Sequence, residues 1–228
     1  MKKIGIIGGM SLQSTIHYIE DLNNIINGKL GGLTSPRILL SSVDFSEYEP
    51  LQRSGDWDLI GKRLAAEAKD VQAGGADFII LATNTMHKVA DQIISVIDIP
   101  FIHIADATCD VILADGIKNI GLLGTKYTME QDFYKGKLES AGLNVIVPNA
   151  EDRMIVNDII FNELCLGIVK HGSVTKYQEI ISKLKDAGAQ GVILGCTEIG
   201  MLVTESVLPL YDTTKIHVNA AAELAIKK

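Results

Sequence analysis

A chain of 228 residues is long enough for one large or two small domains with a buried core, and 47% apolar against 21% charged residues excludes a disordered polymer. The 21 Lys and Arg against 28 Asp and Glu leave a net charge of −7, which offers no basic face to a phosphate backbone and argues against a nucleic-acid partner. No apolar run reaches the length of a membrane span, and the amino terminus enters a strand pattern rather than a signal-peptide layout, so cytoplasmic residence without membrane contact is the expectation.

Taken in chain order, β-branched runs and apolar spacings of three and four predict a strand at Lys3–Ile7 and a helix near Ser14–Ile26. A strand at Arg37–Val43, a helix near Leu59–Ala73, a strand at Phe78–Ala82, a helix at Met86–Val96 and a strand at Phe101–Ile104 complete the first half. The rhythm then repeats: strand Asn119–Leu123, helix Met129–Ala141, strand Asn144–Ile146, a long helix Glu151–Val169, helix Val174–Ala187, strand Gly191–Leu194 and a closing helix near Ile216–Ile226. Strands alternating with helices predict an α/β architecture with parallel sheets.

Two pairs of segments are alike. Gly75-Ala76-Asp77-Phe78-Ile79-Ile80-Leu81-Ala82-Thr83-Asn84-Thr85 matches Gly188-Ala189-Gln190-Gly191-Val192-Ile193-Leu194-Gly195-Cys196-Thr197-Glu198 at an offset of 113, and Ile4-Gly5-Ile6-Ile7-Gly8-Gly9 matches Ile120-Gly121-Leu122-Leu123-Gly124-Thr125 at an offset of 116. Two matches at nearly one offset predict an internal duplication. The expected fold is therefore two pseudo-symmetric Rossmann-like domains, each a parallel sheet flanked by helices, with an active site in the cleft between them. The proline break at Asp98-Ile99-Pro100 and a second crossing near Pro209-Leu210-Tyr211-Asp212 place the N-terminal domain at 1–98 plus 210–228 and the C-terminal domain at 99–209.

An apolar run ending in hydroxyl, thiol and amide groups is the carboxyl end of a buried parallel strand, where open α/β sheets bind ligands. Thr83-Asn84-Thr85 and Cys196-Thr197-Glu198 both occupy such an end before a predicted helix, so free N–H groups there would favour a carboxylate or a phosphate. Ordinary helix capping by Thr and Asn is the competing reading. Cysteine at a helix amino terminus can have its pKa brought toward neutrality, which suits Cys196 to acid/base work; the Thr83 hydroxyl can donate a proton or hold a water but cannot rest as an alkoxide. Cys109, Cys165 and Cys196 form no C-x-x-C pair, so neither a zinc ribbon nor a disulfide framework is expected. Gly5-x-x-Gly8-Gly9 lacks the spacing of a dinucleotide loop, and its glycines are read instead as letting Met10 and Ser11 approach a substrate.

Ile6-Ile7-Gly8-Gly9-Met10-Ser11, Ser42-Val43-Asp44-Phe45, Thr83-Asn84-Thr85-Met86-His87, His103-Ile104-Ala105-Asp106 and Gly195-Cys196-Thr197-Glu198 together resemble the aspartate/glutamate racemase family, in the right order and over essentially the whole chain. Among its members the chain is most similar to bacterial amino-acid racemases that carry Thr where aspartate racemases have the first catalytic Cys. The resemblance implies racemisation of aspartate and/or glutamate, a small-molecule partner, a homodimer, and no cofactor, neither pyridoxal phosphate nor metal. Thr83 and Cys196 would then be the catalytic pair on opposite faces of the α-carbon. Cys196 would face the hydrogen of the L-enantiomer, and Met10, Gln52, Asn84, Thr85, Thr125, Thr197 and Glu198 would bind substrate. The family reaches the distal group of its substrate from the segment containing Gln52 and Arg53; Arg53 is either a bidentate carboxylate binder or a solvated surface charge. Leu166 stands where aspartate racemases tend to carry lysine, which leaves neutral polar amino acids such as homoserine in contention. A single-cysteine decarboxylase of the same superfamily, a cysteine hydrolase and a non-catalytic small-acid binding protein are the alternatives. His87 could assist Thr83 but is read first as structural, His103 as a core or interface histidine, and Cys109 and Cys165 as buried small hydrophobes.

Overall fold

β1, Lys3–Gly8, is apolar throughout and buried along its length, as a central parallel strand must be when helices cover both faces. α1, Leu12–Leu30, begins where the Ser11 hydroxyl accepts the Ser14 N–H at 3.2 Å and ends at Gly31, whose φ of 75° releases the chain toward β2, Arg37–Ser42. A short 3-10 turn and α2, Glu49–Ser54, lead to α3, Trp57–Ala73, which the Asp56 carboxylate caps through the Leu59 N–H at 3.1 Å. β3 is Phe78–Leu81. Beyond it a 3-10 turn, Thr85–Val89, precedes α4, Ala90–Ile94, then β4, Phe101–Ile102, and α5, Ile104–Ala114.

The second half follows the same plan. β5, Asn119–Gly124, leads through the Thr125 cap to α6, Lys126–Glu130, and α7, Asp132–Ser140. β6 is Asn144–Ile146, and α8, Ala150–Asn162, is capped by Asn149. A 3-10 turn at Leu164–Leu166, α9, His171–Asp186, β7, Gly191–Gly195, α10, Ile199–Leu202, β8, Leu210–Asp212, and α11, Thr213–Ile226, close the chain.

This computed structural model, which describes residues 1–227, holds two four-stranded parallel sheets, ordered β2-β1-β3-β4 and β6-β5-β7-β8. Their registers agree as well as their orders: the offsets of 116 and 113 carry the Ile7–Leu81 pair onto Leu123–Leu194. The described chain divides into a first unit, 1–104 with 217–227, and a second, 105–216.

Within the first unit, strand alternation splits β3 between two cores. Ile79 and Leu81 pack with Ile60, Leu64 and Met86, whereas Phe78 and Ile80 pack with Tyr18, Leu22, Val218 and Ala222. Each of these large apolar side chains contributes about 1.5–3 kcal/mol on burial, so the strand is anchored on both faces just before the turn at Thr83.

Three expected helices differ from what forms. Met86–Val96 is a 3-10 turn followed by α4, broken at Val89, whose φ of −108° and ψ of 18° leave the helical region. Met129–Ala141 is interrupted at Gln131, which is extended at φ −106° and ψ 149°. Glu151–Val169 stops at Asn162, and Gly167, left-handed at φ 73°, ends the short turn after it. Among the described residues no helix is long and apolar enough to cross a membrane.

Candidate active site

In the first unit the candidate groups occupy the turn after β3. The Ala82 N–H donates to Ile7 O at 2.9 Å, and the Thr83 N–H folds back to Leu81 O at 2.8 Å, so the chain turns sharply at Thr83. Side chains hold the carbonyls there: the buried Ser14 hydroxyl donates to Ala82 O at 2.9 Å, and the His87 ring meets Thr83 O through Nδ1 at 2.7 Å. Thr83 is half-buried, while Asn84 and Thr85 are buried. Gly9, at φ 86°, lies against the backbone of Val43, and its N–H donates to Thr15 Oγ1 at 2.8 Å. The glycine pair thus serves close backbone packing, and Met10 is buried in the apolar cluster of Ile7 and Leu81.

Gln52 is buried on α2. Arg53, on the same helix, points its guanidinium at Glu49, with Nε 3.1 Å and Nη2 2.7 Å from Oε1, and its side chain is 78% exposed. That geometry is the solvated surface pair rather than the carboxylate clamp. A groove of about 530 Å³ on this unit is lined by Ile19, Glu20, Asn23, Asn24, Pro36 and their neighbours, and includes none of the candidate residues.

In the second unit β7 ends at Gly195 and is followed at once by Cys196-Thr197-Glu198. Gly195 is required here because a Cβ on it would meet Leu123 O at 2.7 Å. The three following side chains form one set. The Cys196 thiol donates to Glu198 Oε2 at 2.9 Å, and the Thr197 hydroxyl donates to the same oxygen at 2.8 Å. From α11, the Thr213 hydroxyl donates to Leu194 O at 2.8 Å and the Thr214 hydroxyl to Thr197 O at 3.4 Å, fixing the strand end from behind. Thr125 is buried and caps α6, its oxygen accepting the Thr128 N–H at 3.4 Å.

The thiol's electrostatics reverse the expectation from sequence. Burial, then the Glu198 carboxylate, pushes Cys196 well above the ordinary thiol range. The helix that was to lower it, α10, has only four residues and starts beyond Glu198, whose carboxylate lies 2.9 Å from the sulfur. Cys196 therefore rests as a protonated thiol already aimed at an acceptor. Cys165 is only partly buried, yet burial of its thiol and the nearby Glu198 charge raise it to about 12; it belongs to the surroundings of this site rather than to a remote core. Tyr177 is also within electrostatic reach of Cys196 and Glu198, a proximity the sequence carries no signal for. Cys109 is buried in α5, and burial raises its thiol to about 11. Among the described residues no group of three or more His, Cys, Asp or Glu side chains is placed to hold a metal ion.

The structure thus joins Cys196, Thr197 and Glu198 in one hydrogen-bonded set and places Thr83, Asn84 and Thr85 on the equivalent strand end of the first unit, with Met10 in the core and Gln52 on α2. Known proteins share this fold. A Yersinia pestis protein provisionally assigned as an Asp/Glu racemase is 49% identical over the full length of both chains, with a TM-score of 0.92. An aspartate racemase homologue from Pyrococcus horikoshii is 36% identical, also over the full length of both, with a TM-score of 0.86. The broad-specificity amino-acid racemase RacX of Bacillus subtilis is 25% identical over 219 residues, 92% of each chain. The sequence pattern of Asp/Glu/hydantoin racemases matches residues 7–221. The chain belongs to the Asp/Glu/hydantoin racemase family and is an isomerase of the racemase type.

Proposed function

We propose that this racemase inverts the α-carbon of a small amino acid, aspartate and/or glutamate foremost, without pyridoxal phosphate or metal, using Cys196 and Thr83 as its two proton-handling groups. The observation that carries the reading is the Cys196 thiol at 2.9 Å from the Glu198 carboxylate at the end of β7, matched by Thr83 at the end of β3. Proton abstraction needs a base, and a thiol held above its ordinary range is a poor one until its proton has a place to go. Glu198 supplies that place: the proton passes from Sγ to Oε2, and the thiolate then takes the α-proton of the L-enantiomer.

Charge developing on the substrate carboxylate as an enolate needs hydrogen-bond donors, for which the Thr85 hydroxyl is a candidate. Thr83, directly or through a water, returns a proton on the other face and is reprotonated by water as it does so, while Glu198 gives its extra proton back to solvent, so that no alkoxide rests and the charge balances. The scheme is chemically lopsided, a thiol on one side and a hydroxyl on the other, yet the equilibrium between free enantiomers stays at unity. The substrate class is supported by the relatives, an aspartate racemase homologue and a broad-specificity amino-acid racemase. With Arg53 paired to Glu49 and Leu166 exposed, neutral polar amino acids belong in the same assay.

The test is proton NMR in D₂O with a panel of amino acids. Racemisation predicts loss of the α-proton signal with no mass change beyond deuterium, abolished in Cys196→Ala. Release of CO₂ instead would identify a decarboxylase, and an unchanged spectrum for every amino acid would remove the racemase mechanism.

A further inference from the structure

We propose that His87 is a positioning residue for Thr83, acting through the Thr83 carbonyl from a fixed, neutral tautomer; this rests on the reading of Thr83 as one of the two proton-handling groups. The ring's hydrogen bonds define its state. The Ile104 N–H can only donate, and it points at His87 Nε2 at 3.2 Å, so Nε2 is the bare acceptor. The proton must then lie on Nδ1, which donates to Thr83 O at 2.7 Å. Adding a second proton would set two donors against each other at Nε2.

The ring does work the local backbone leaves undone. Because the segment after Thr83 winds as a 3-10 turn, the His87 N–H is spent on Asn84 O at 3.1 Å, and it is the side chain that reaches Thr83 O. The other end of the system is equally fixed. His217 Nε2 lies 2.8 Å from Ile102 O and must donate to it, leaving Nδ1 to accept the Tyr18 hydroxyl at 2.8 Å. Ile102 and Ile104 flank His103, whose ring centroid lies 4.5 Å from that of His87. Tyr18, His217, the backbone from Ile102 to Ile104 and His87 thus form one line of contacts within the first unit, ending on the peptide of Thr83. The side chains of Tyr18, His87, His103 and His217 are all buried, His87 to 3% exposure and His217 completely. Rotating the Thr83 peptide would break the His87 bond in a site with little water to replace it. The direction of the Thr83 hydroxyl is therefore set by the imidazole.

The experiment compares His87→Asn, His87→Gln and His87→Ala in the full chain, reading kcat, KM and thermal midpoint for whichever amino acid the wild type racemises. Asn places an amide N–H near the position of Nδ1, whereas Gln places one near Nε2. Loss of positioning predicts that Ala and Gln lower kcat by about tenfold or more while KM stays within about twofold, and that Asn recovers most of the loss. If Ala does not fold, the Asn–Gln comparison decides alone. Asn no better than Gln at matched thermal midpoints, or a change confined to KM, overturns the proposal. So does a ¹⁵N spectrum of the His87 ring showing the proton on Nε2. A wild type that racemises nothing overturns both this proposal and the functional reading, whereas an active wild type with an unaffected His87→Ala variant overturns this one alone.

Discussion

Cys196 holds its proton at rest because burial and the Glu198 charge both disfavour the thiolate, and the same carboxylate accepts from the thiol at 2.9 Å. The two effects of Glu198 separate experimentally. In Glu198→Gln the internal acceptor is gone, so solvent must take the proton, and racemisation should fall by about 10²–10³ near neutral pH. The lost rate should return as pH rises, by up to about tenfold per unit across roughly pH 7–9, because burial alone still holds the thiol high and each unit increases the thiolate fraction tenfold. The wild type, which moves the proton within the site, should show a flatter profile. A pH–rate series on both proteins checks this, and equal slopes would assign Glu198 a binding role only. The clustering of Cys196, Thr197 and Glu198 at one strand end was legible from an apolar strand ending in small polar groups. The direction of the thiol's shift was not, because it depends on the shortness of α10 and on which way the Glu198 side chain turns.

At the scale of elements, the strand ends are placed by glycines that let backbones touch. A Cβ on Gly195 would meet Leu123 O at 2.7 Å, and one on Gly124 would meet Gly195 O at 2.9 Å, so β5 and β7 approach more closely at the site than side chains permit. Gly195→Ala should destabilise the protein by about 1–3 kcal/mol, since the obstacle is backbone and cannot rotate away. It should also lower racemisation in the surviving folded fraction by shifting Cys196; urea unfolding and activity per folded molecule measure the two effects. Most strands were legible almost to the residue because buried runs such as Phe78–Leu81 and Gly191–Gly195 are bounded by polar or glycine residues; the exception is Phe101–Ile104, where the strand stops at Ile102 and Ile104 opens α5, a helix not expected from the sequence. Helix interruptions were not, because apolar spacing continues across Gln131 and Val89 while the backbone there leaves the helical region. Gly167 was a stop signal in plain view inside an expected helix. Two short pieces, β8 and the turn at Leu164–Leu166, are too brief for periodicity to register.

For the molecule as a whole, the repeat read from two short matches extends to sheet order and strand register, which no local pattern could supply. Stability also has a pH dependence rooted in one residue. Burial holds His217 down at about 4, whereas in the unfolded chain it titrates near its ordinary value of 6.5. Between these values the unfolded state binds more protons, so stability is complete above about pH 6.5 and is lost as pH falls toward 4, by roughly 3 kcal/mol in full. Urea midpoints measured from neutral pH down to about 4.5 should fall accordingly, and His217→Gln, which keeps a donor for Ile102 O, should flatten that fall. An unchanged slope in the variant would assign the acid sensitivity to other groups.

The first unit is discontinuous: its sheet comes from residues up to 104, but Val218, Ala221, Ala222 and Ala225 of α11 fill one of its two cores. On a ribosome the chain from 105 to 216 is available in full before those residues emerge. The half bearing Cys196 can thus mature first, while the half bearing Thr83, although synthesised earlier, stays open on one face until the last helix arrives. His217 arrives with that helix, so the histidine line that ends on Thr83 is drawn only once α11 has joined the sheet built from residues up to 104, and a chain stopped short of it would carry Cys196 in a finished unit and Thr83 in an unfinished one.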